Sequence, residues 1–486
     1  MRRRLLLPFL LTLALADDKI EEADKTANTS VSKQDVVTID GKKVDYKVTA
    51  STLMLKNADD KDRASIFHVS YERIGQADRY KRPVVFAFNG GPGSSAVWLH
   101  LGALGPRLVE STPDGTQPIQ PPVTLKENPH SILDVADIVF IDPVSTGFSR
   151  AKGDTKAKEF HGVQADIRSV GDFIRRWTTE NDRWASPKYL LGESYGGIRA
   201  TGLADHLQKE YGMSLNGVVL LSSLIDFRTL RSSQADDLSY AVFLPGMTAT
   251  SHHHKKIDGD RDKLVEEART FAFGPYYTAL LKGAAIPDEE KKSIATQLEK
   301  FTGLPASLFL ETNLRLNTSR YRKEILATEG KVVGRFDSRV AWPATNSGWN
   351  YASYDPSYSV VLGAFATAMN DYLSRDLKWE GHHPYKILTS DVRPWDWGTS
   401  NGVLNMSSQL ESAMRENPKL KVLVMAGYTD LATPPANIQY SLDHLFGIPD
   451  DRRKGIEFVW YDAGHMFYLN EPDLVKMRKD LVNFLK

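Results

Sequence analysis

The chain has no cysteine among its 486 residues. That excludes disulfides, thiolate nucleophiles and cysteine-held metal centres. It has no excess charge either, since 61 basic and 61 acidic residues cancel. A neutral chain has no electrostatic footing for nucleic acid or an anionic membrane, and neither is expected as a partner. Its longest apolar run, Leu5 to Leu15, is short of the roughly 20 residues that span a bilayer. Internal repeats are absent, and the one low-complexity tract is His252-His253-His254. What remains is an ordinary globular composition, 41% hydrophobic and 25% charged. The length suits one large domain with an insertion, or two domains.

The N-terminus has a recognisable order. Arg2, Arg3 and Arg4 precede the apolar run, and Ala14-Leu15-Ala16 follows with small residues at the first and third positions. This is the pattern of a secretory signal peptide, expected over residues 1–16 and lost on cleavage, leaving no stable membrane association. An exported chain without disulfides points to a bacterial protein, periplasmic or secreted. The sequons at Asn28, Asn317 and Asn405 then read as chance matches. Residues 17–34 are polar and aperiodic, as in a flexible leader.

Asp40-Gly41 sits between alternating residues and predicts a β-hairpin. Six short apolar runs follow, at 83–88, 136–141, 188–191, 217–221, 421–425 and 455–460. Such runs suit strands buried on both faces. Helical patterns at 162–179 and 197–211 lie between them. The expected fold is α/β, a mostly parallel sheet with helices on both faces. The rhythm breaks over residues 227–394, which are rich in helix formers and read as a mainly helical inserted lid. Residues 35–226 and 395–486 then form the catalytic domain. Aromatics of the insertion (Trp342, Trp349, Tyr351, Tyr354, Tyr358) are expected mostly to fill the lid core.

Gly192-Glu193-Ser194-Tyr195-Gly196 fits G-x-S-x-G between a strand and a helix, the setting of a nucleophile elbow. A nucleophilic serine needs a base and an orienting acid. Asp430 and His465 each follow a strand-like run, in the order Ser…Asp…His; Asp462 is a rival acid. An oxyanion hole needs two convergent N–H groups. The loop Asn89-Gly90-Gly91-Pro92-Gly93 allows close backbone approach, and Tyr195 follows the nucleophile. That loop has neither the ending nor the spacing of a phosphate-binding loop. The histidine tract lacks a placed acidic partner, so neither metal nor cofactor is expected.

These motifs together (NGGPG, GESYGG, DPVSTGFS at 142–149, Gly427 to Asp430, and GHM at 464–466) resemble the serine carboxypeptidase family. The resemblance implies an α/β-hydrolase fold and release of C-terminal residues from peptides through an acyl-enzyme on Ser194. It implies Asp430 and His465 as its catalytic partners and Gly91 and Tyr195 as oxyanion donors. It also implies that Asn89, Gly90 and Glu193 bind the free C-terminal carboxylate of a peptide substrate. The other reading is an esterase or acyltransferase with the same triad. Three departures stand out: Ala87 where the family has tryptophan, Ala103 where it has a second glutamate, and Ser94 where it has cysteine. Without that second glutamate, a milder acid preference is expected.

Overall fold

The computed structural model describes residues 30–345, 351–381 and 383–486. The expected signal peptide, most of the expected leader, Asn28 and Trp349 lie outside them. Residues 30–34, expected in the leader, are strand instead. Strand β1 (Ser30–Ile39) already begins at Ser30 and pairs with β2 (Lys42–Lys56) in a continuous antiparallel register, Ser30 opposite Ser51. The first five residues of β1 bury little side chain, so their strand is held by backbone pairing that apolar periodicity does not report.

β2 continues into β3 (Asp62–Arg73), which is antiparallel to it. Then come β4 (Val84–Phe88), β5 (Asp137–Ile141), β6 (Lys188–Glu193), β7 (Gly217–Leu221), β8 (Lys421–Gly427) and β9 (Ile456–Tyr461). The sheet order is β1-β2-β3-β5-β4-β6-β7-β8-β9. From β5 to β9 every pairing is parallel. β4 to β7 are buried along their whole length, as their apolar sequences require.

Alternation along β4 shows the two faces. Val85 and Ala87 join one core cluster; Val84, Phe86 and Phe88 join the other. Helices α1 (Val163–Glu180) and α2 (Gly196–Tyr211) cover the second face through Ile167, Val170, Ile198 and Leu203. On the first face the C-terminal helix Glu471–Leu485 buries Leu474, Met477 and Leu481. The parallel strands all end at one edge, where the chain emerges at Asn89, Ser194, Asp430 and His465.

Within residues 227–394, α3 (Leu238–His253), α4 (Arg261–Phe271) and α5 (Asp288–Thr302) share a separate core with Tyr276, Phe309 and Tyr321. A further helix, α6 (Pro356–Asp371), instead buries Val361, Phe365 and Met369 in the cluster of the sheet. We propose to keep the name lid for the part built on its own core, which reaches Val333. The aromatics between the two parts depart from expectation. Trp342 and Tyr358 pack on the cluster of the sheet, Tyr351 is exposed, and Tyr354 donates to the Pro343 carbonyl at 2.7 Å. None of these four belongs to the lid core: Trp342 lies in a short strand and Tyr358 in α6, and both pack on the cluster of the sheet.

At the start of β5, Asp137 accepts hydrogen bonds from Arg82 Nε at 2.7 Å and Arg183 Nη1 at 2.6 Å. All three side chains are buried, and together they tie the starts of β4, β5 and β6. Asp137→Ala leaves two buried guanidinium groups without their carboxylate. We expect a loss of about 3–5 kcal/mol in chemical denaturation, well beyond a surface ion pair.

Candidate active site

Ser194 sits where β6 gives way to α2, with φ at 62°, a left-handed conformation that is costly for a residue with a Cβ. The turn admits no side chain at its glycines. A Cβ at Gly192 would collide with the Gly196 carbonyl, and one at Gly197 would lie 2.6 Å from the Ser223 Cβ.

Asp430 is fully buried beyond β8. Its Oδ2 accepts from His465 Nδ1 at 2.8 Å. Its Oδ1 accepts the N–H groups of Ala432 and Thr433 at 2.7 and 2.9 Å. The Thr433 hydroxyl lies 2.8 Å from Oδ2 and 2.6 Å from the Ser222 carbonyl. These contacts fix the carboxylate, and the carboxylate fixes the imidazole. His465 is also held from outside: its N–H donates to the Phe336 carbonyl at 2.6 Å, and its ring stacks on Phe336 at 5.0 Å. Burial opposes an imidazolium there, but Asp430, helped by Glu193, outweighs it and holds His465 above its ordinary value. Asp462, the rival acid, bonds Arg261 at 2.6 Å from a largely exposed position and does not reach the imidazole.

Gly90 lies against the elbow. A Cβ there would collide with the Tyr195 amide and fall 2.8 Å from both the Glu193 carbonyl and the Gly196 nitrogen. Gly91 follows with φ at 103°, so the loop backbone runs beside the Tyr195 N–H, as two convergent donors require. Arg199, one turn into α2, holds this contact. It is buried, donates to the Asn89 carbonyl at 2.7 Å and to Asp166 Oδ2 at 2.8 Å. Burial pushes the Asp166 carboxyl up, and Arg199 offsets part of that. Sequence reasoning missed Arg199, although a lone arginine in an otherwise apolar helix face was a usable signal.

Glu193 ends β6 and is 3% exposed. Its Oε2 accepts from the Tyr468 hydroxyl at 2.8 Å. The Asn89 Nδ2 has no hydrogen-bond partner and lies near enough to favour the charged carboxylate. Burial prevails over these and pushes Glu193 up to about 7. Glu193 is thus raised although Ala103 stands where a second glutamate was looked for. Ala103 is buried, and Tyr468 packs against its neighbour Gly102, where a Cβ would lie 2.9 Å from the ring. Ser94, in the cysteine position, accepts from Trp98 Nε1 at 3.0 Å.

Ser194, His465, Gly91, Tyr195, Asn89 and Glu193 line one cavity of about 540 Å³. A larger cavity of about 740 Å³ lies outside it, behind Thr429 and Asp462, and holds none of these groups. It is lined by His252 and His253. His252 and His254 are engaged by the carbonyls of Gly259 and Ser338, at 3.0 and 2.7 Å. Of the described sequons, Asn317 caps a short helix through Arg320 N at 2.9 Å, and Asn405 Nδ2 donates to Asp226 at 2.9 Å.

Two tests address the geometry alone. A fluorophosphonate should label Ser194 covalently, and Asp430→Asn should slow labelling roughly 10³- to 10⁴-fold. Mass spectrometry of the labelled peptide reads both. The second uses stability. A carboxyl whose folded value is raised from 4.5 to about 7 binds a proton that the unfolded chain has released. Stability therefore falls as pH rises between those values. Glu193→Gln should abolish that fall, a difference of about 3 kcal/mol between pH 4.5 and 7.5 in urea unfolding.

The comparisons with known proteins follow the geometry. The family model described as serine carboxypeptidase matches residues 49–455, most of the chain. The mouse lysosomal protective protein is 31% identical over 156 residues, 31% of this chain and 30% of that protein. The serine carboxypeptidase-like 45 of Arabidopsis thaliana is 27% identical over 188 residues, 37% of each. The matched segments thus span about a third of these relatives. Among solved structures, a prohormone-processing carboxypeptidase of Saccharomyces cerevisiae, Kex1(delta)p, superposes with TM-score 0.55 at 16% identity, over 90% of this chain and 91% of that one, a likeness of fold. No described helix is long and apolar enough to cross a membrane. With an α/β-hydrolase sheet and a family model that covers both the glycine loop and the elbow, the chain belongs to the serine carboxypeptidase family.

Proposed function

We propose that this chain is a serine carboxypeptidase that hydrolyses the C-terminal residue from peptides, and that it is exported. The observation that carries the reading is the adjacency of Ser194, in a nucleophile elbow, to a buried Glu193 that lines the same cavity as Asn89. One residue would attack; its neighbour would hold the terminal carboxylate. Export rests on the N-terminal sequence pattern alone.

His465 takes the Ser194 proton as the hydroxyl attacks the scissile carbonyl. Asp430 keeps Nδ1 protonated and stabilises the imidazolium. The N–H groups of Gly91 and Tyr195 receive the oxyanion, each worth roughly 3 kcal/mol of barrier. The imidazolium then protonates the leaving amine, and water hydrolyses the ester by the reverse path. Protonated Glu193 donates to the substrate carboxylate together with the Asn89 amide; ionised Glu193 repels it.

The pH dependence follows in sign. His465 must be neutral to accept the proton, so kcat/KM rises with pH through its titration. Peptide binding needs Glu193 protonated, so KM for peptides rises as pH passes about 7. A peptide with a free C-terminus and its C-terminal amide separate the readings. We expect the free acid to be cleaved faster below neutrality and the advantage to shrink above it. Equal rates for acid and amide at every pH would favour an esterase or acyltransferase with the same triad. Glu193→Gln should keep a donor, lose the charge and flatten the rise in peptide KM.

A further inference from the structure

The floor and the rim of the active-site cavity carry opposite chemistry. At the floor is Glu193, buried and engaged by Tyr468. At the rim stand two arginines, Arg335 and Arg393, and among the described residues no acidic side chain other than Glu193 lines the cavity. In a chain of zero net charge, this is a local positive field around the entrance.

Neither arginine is satisfied by a close ion pair. Arg335 has a side chain 46% exposed, with Nε 3.8 Å from Asp355. Asp355 is held through its other oxygen: Oδ1 accepts the N–H of Arg335 at 2.8 Å and the Ser357 hydroxyl at 2.6 Å, and Oδ2 faces the guanidinium only at long range. The Arg335 guanidinium lies 4.6 Å from the Phe336 ring centroid, and the same ring stacks on His465. Arg335 is thus one aromatic ring away from the catalytic base. Arg393 is exposed, and among the described residues it enters no ion pair. The acid nearest to it in sequence, Asp391, is held by Lys386 at 2.5 Å.

Both are carried on fixed backbone. The rim loop bearing Arg393 is docked on the glycine loop, with Ser95 N donating to the Ile387 carbonyl at 2.8 Å and Thr389 N to the Gly93 carbonyl at 3.0 Å. A Cβ at Gly93 would fall 3.0 Å from Val392. Beside Arg335, the Leu431 N–H donates to the Arg335 carbonyl at 3.1 Å, which ties its backbone to the loop of Asp430. An exposed arginine that swings freely marks nothing. Two that line the catalytic cavity on anchored backbone, one with its nearest carboxylate 3.8 Å away and the other in no ion pair among the described residues, are donors open to an anion.

We propose that Arg335 and Arg393 form a subsite for an acidic side chain next to the scissile bond, so that the substrate is a peptide with Asp or Glu at one of its last two positions. The inference rests on the carboxypeptidase reading and names its substrate class. The terminal carboxylate is assigned to the floor, so the rim is left for the side chain.

The test uses N-blocked peptides that differ only by Glu or Gln, first at the last and then at the penultimate position, each with a free C-terminus. The shared carboxylate cancels the effect of Glu193 in the ratio. We expect kcat/KM to favour Glu about fivefold at one of the two positions at low ionic strength. The preference should shrink in 0.5 M salt as screening grows. Arg393→Gln and Arg335→Gln should each bring the ratio toward one, with Arg393→Lys retaining part of it. Ratios of one, or a preference for Gln at both positions, overturn the subsite. Calorimetric binding of the same peptides to Ser194→Ala separates the two levels of inference. If the parent enzyme cleaves neither peptide but the Ser194→Ala protein binds the Glu form more tightly, the subsite stands and the carboxypeptidase reading falls. If binding shows no preference, the subsite falls whatever the turnover.

Discussion

At Gly90 the glycine loop presses on the amide of Tyr195 with room for a hydrogen atom and nothing larger. Every other part of the site is arranged around that contact. The loop can come so close because β4 and β6 are adjacent parallel strands that end at the same level. The elbow can turn so sharply because Gly192, Gly196 and Gly197 leave space for backbone alone. Arg199 then fastens the two segments from below, bridging Asn89 and Asp166. The strain at Ser194 is supported by this packing, in keeping with strained residues that persist only where the surroundings over-determine them.

Burial is the main cause that raises the carboxyl of Glu193. A like-charge neighbour raises a carboxyl by repulsion, and an apolar enclosure raises it by withholding water. Here the enclosure dominates, against the opposing pull of His465, Tyr468 and Asn89. Ala103 speaks only to the missing repulsion; the enclosure is a tertiary feature that no local pattern records.

The fold was legible because its signals are local. Each of the six apolar runs became a parallel strand, and both helical patterns between them became helices. The sequence motifs alone assign Asn89, Ser194, Asp430 and His465 to one sheet edge, and these residues do line or adjoin one cavity. What escaped were contacts between residues far apart in sequence. The Tyr468 hydroxyl meets a glutamate 275 positions away, and Arg199 reaches back 110 positions to Asn89. The limit of the lid escaped as well, since α6 is as apolar as a lid helix and only its packing shows that it serves the sheet.

The docking of the rim loop on the glycine loop has a consequence for how such enzymes diversify. Residues 387–389 grip the backbone of Gly93 and Ser95, four or fewer positions from Gly91, the proposed oxyanion donor. The proposed subsite and the proposed catalytic machinery therefore share a mechanical joint. Point changes at Arg393 leave that joint intact, whereas exchange or lengthening of the whole loop would pull on the donors themselves. Lineages of this architecture should drift in selectivity by swapping side chains on a conserved rim, and wholesale loop grafts should cost turnover before they alter taste.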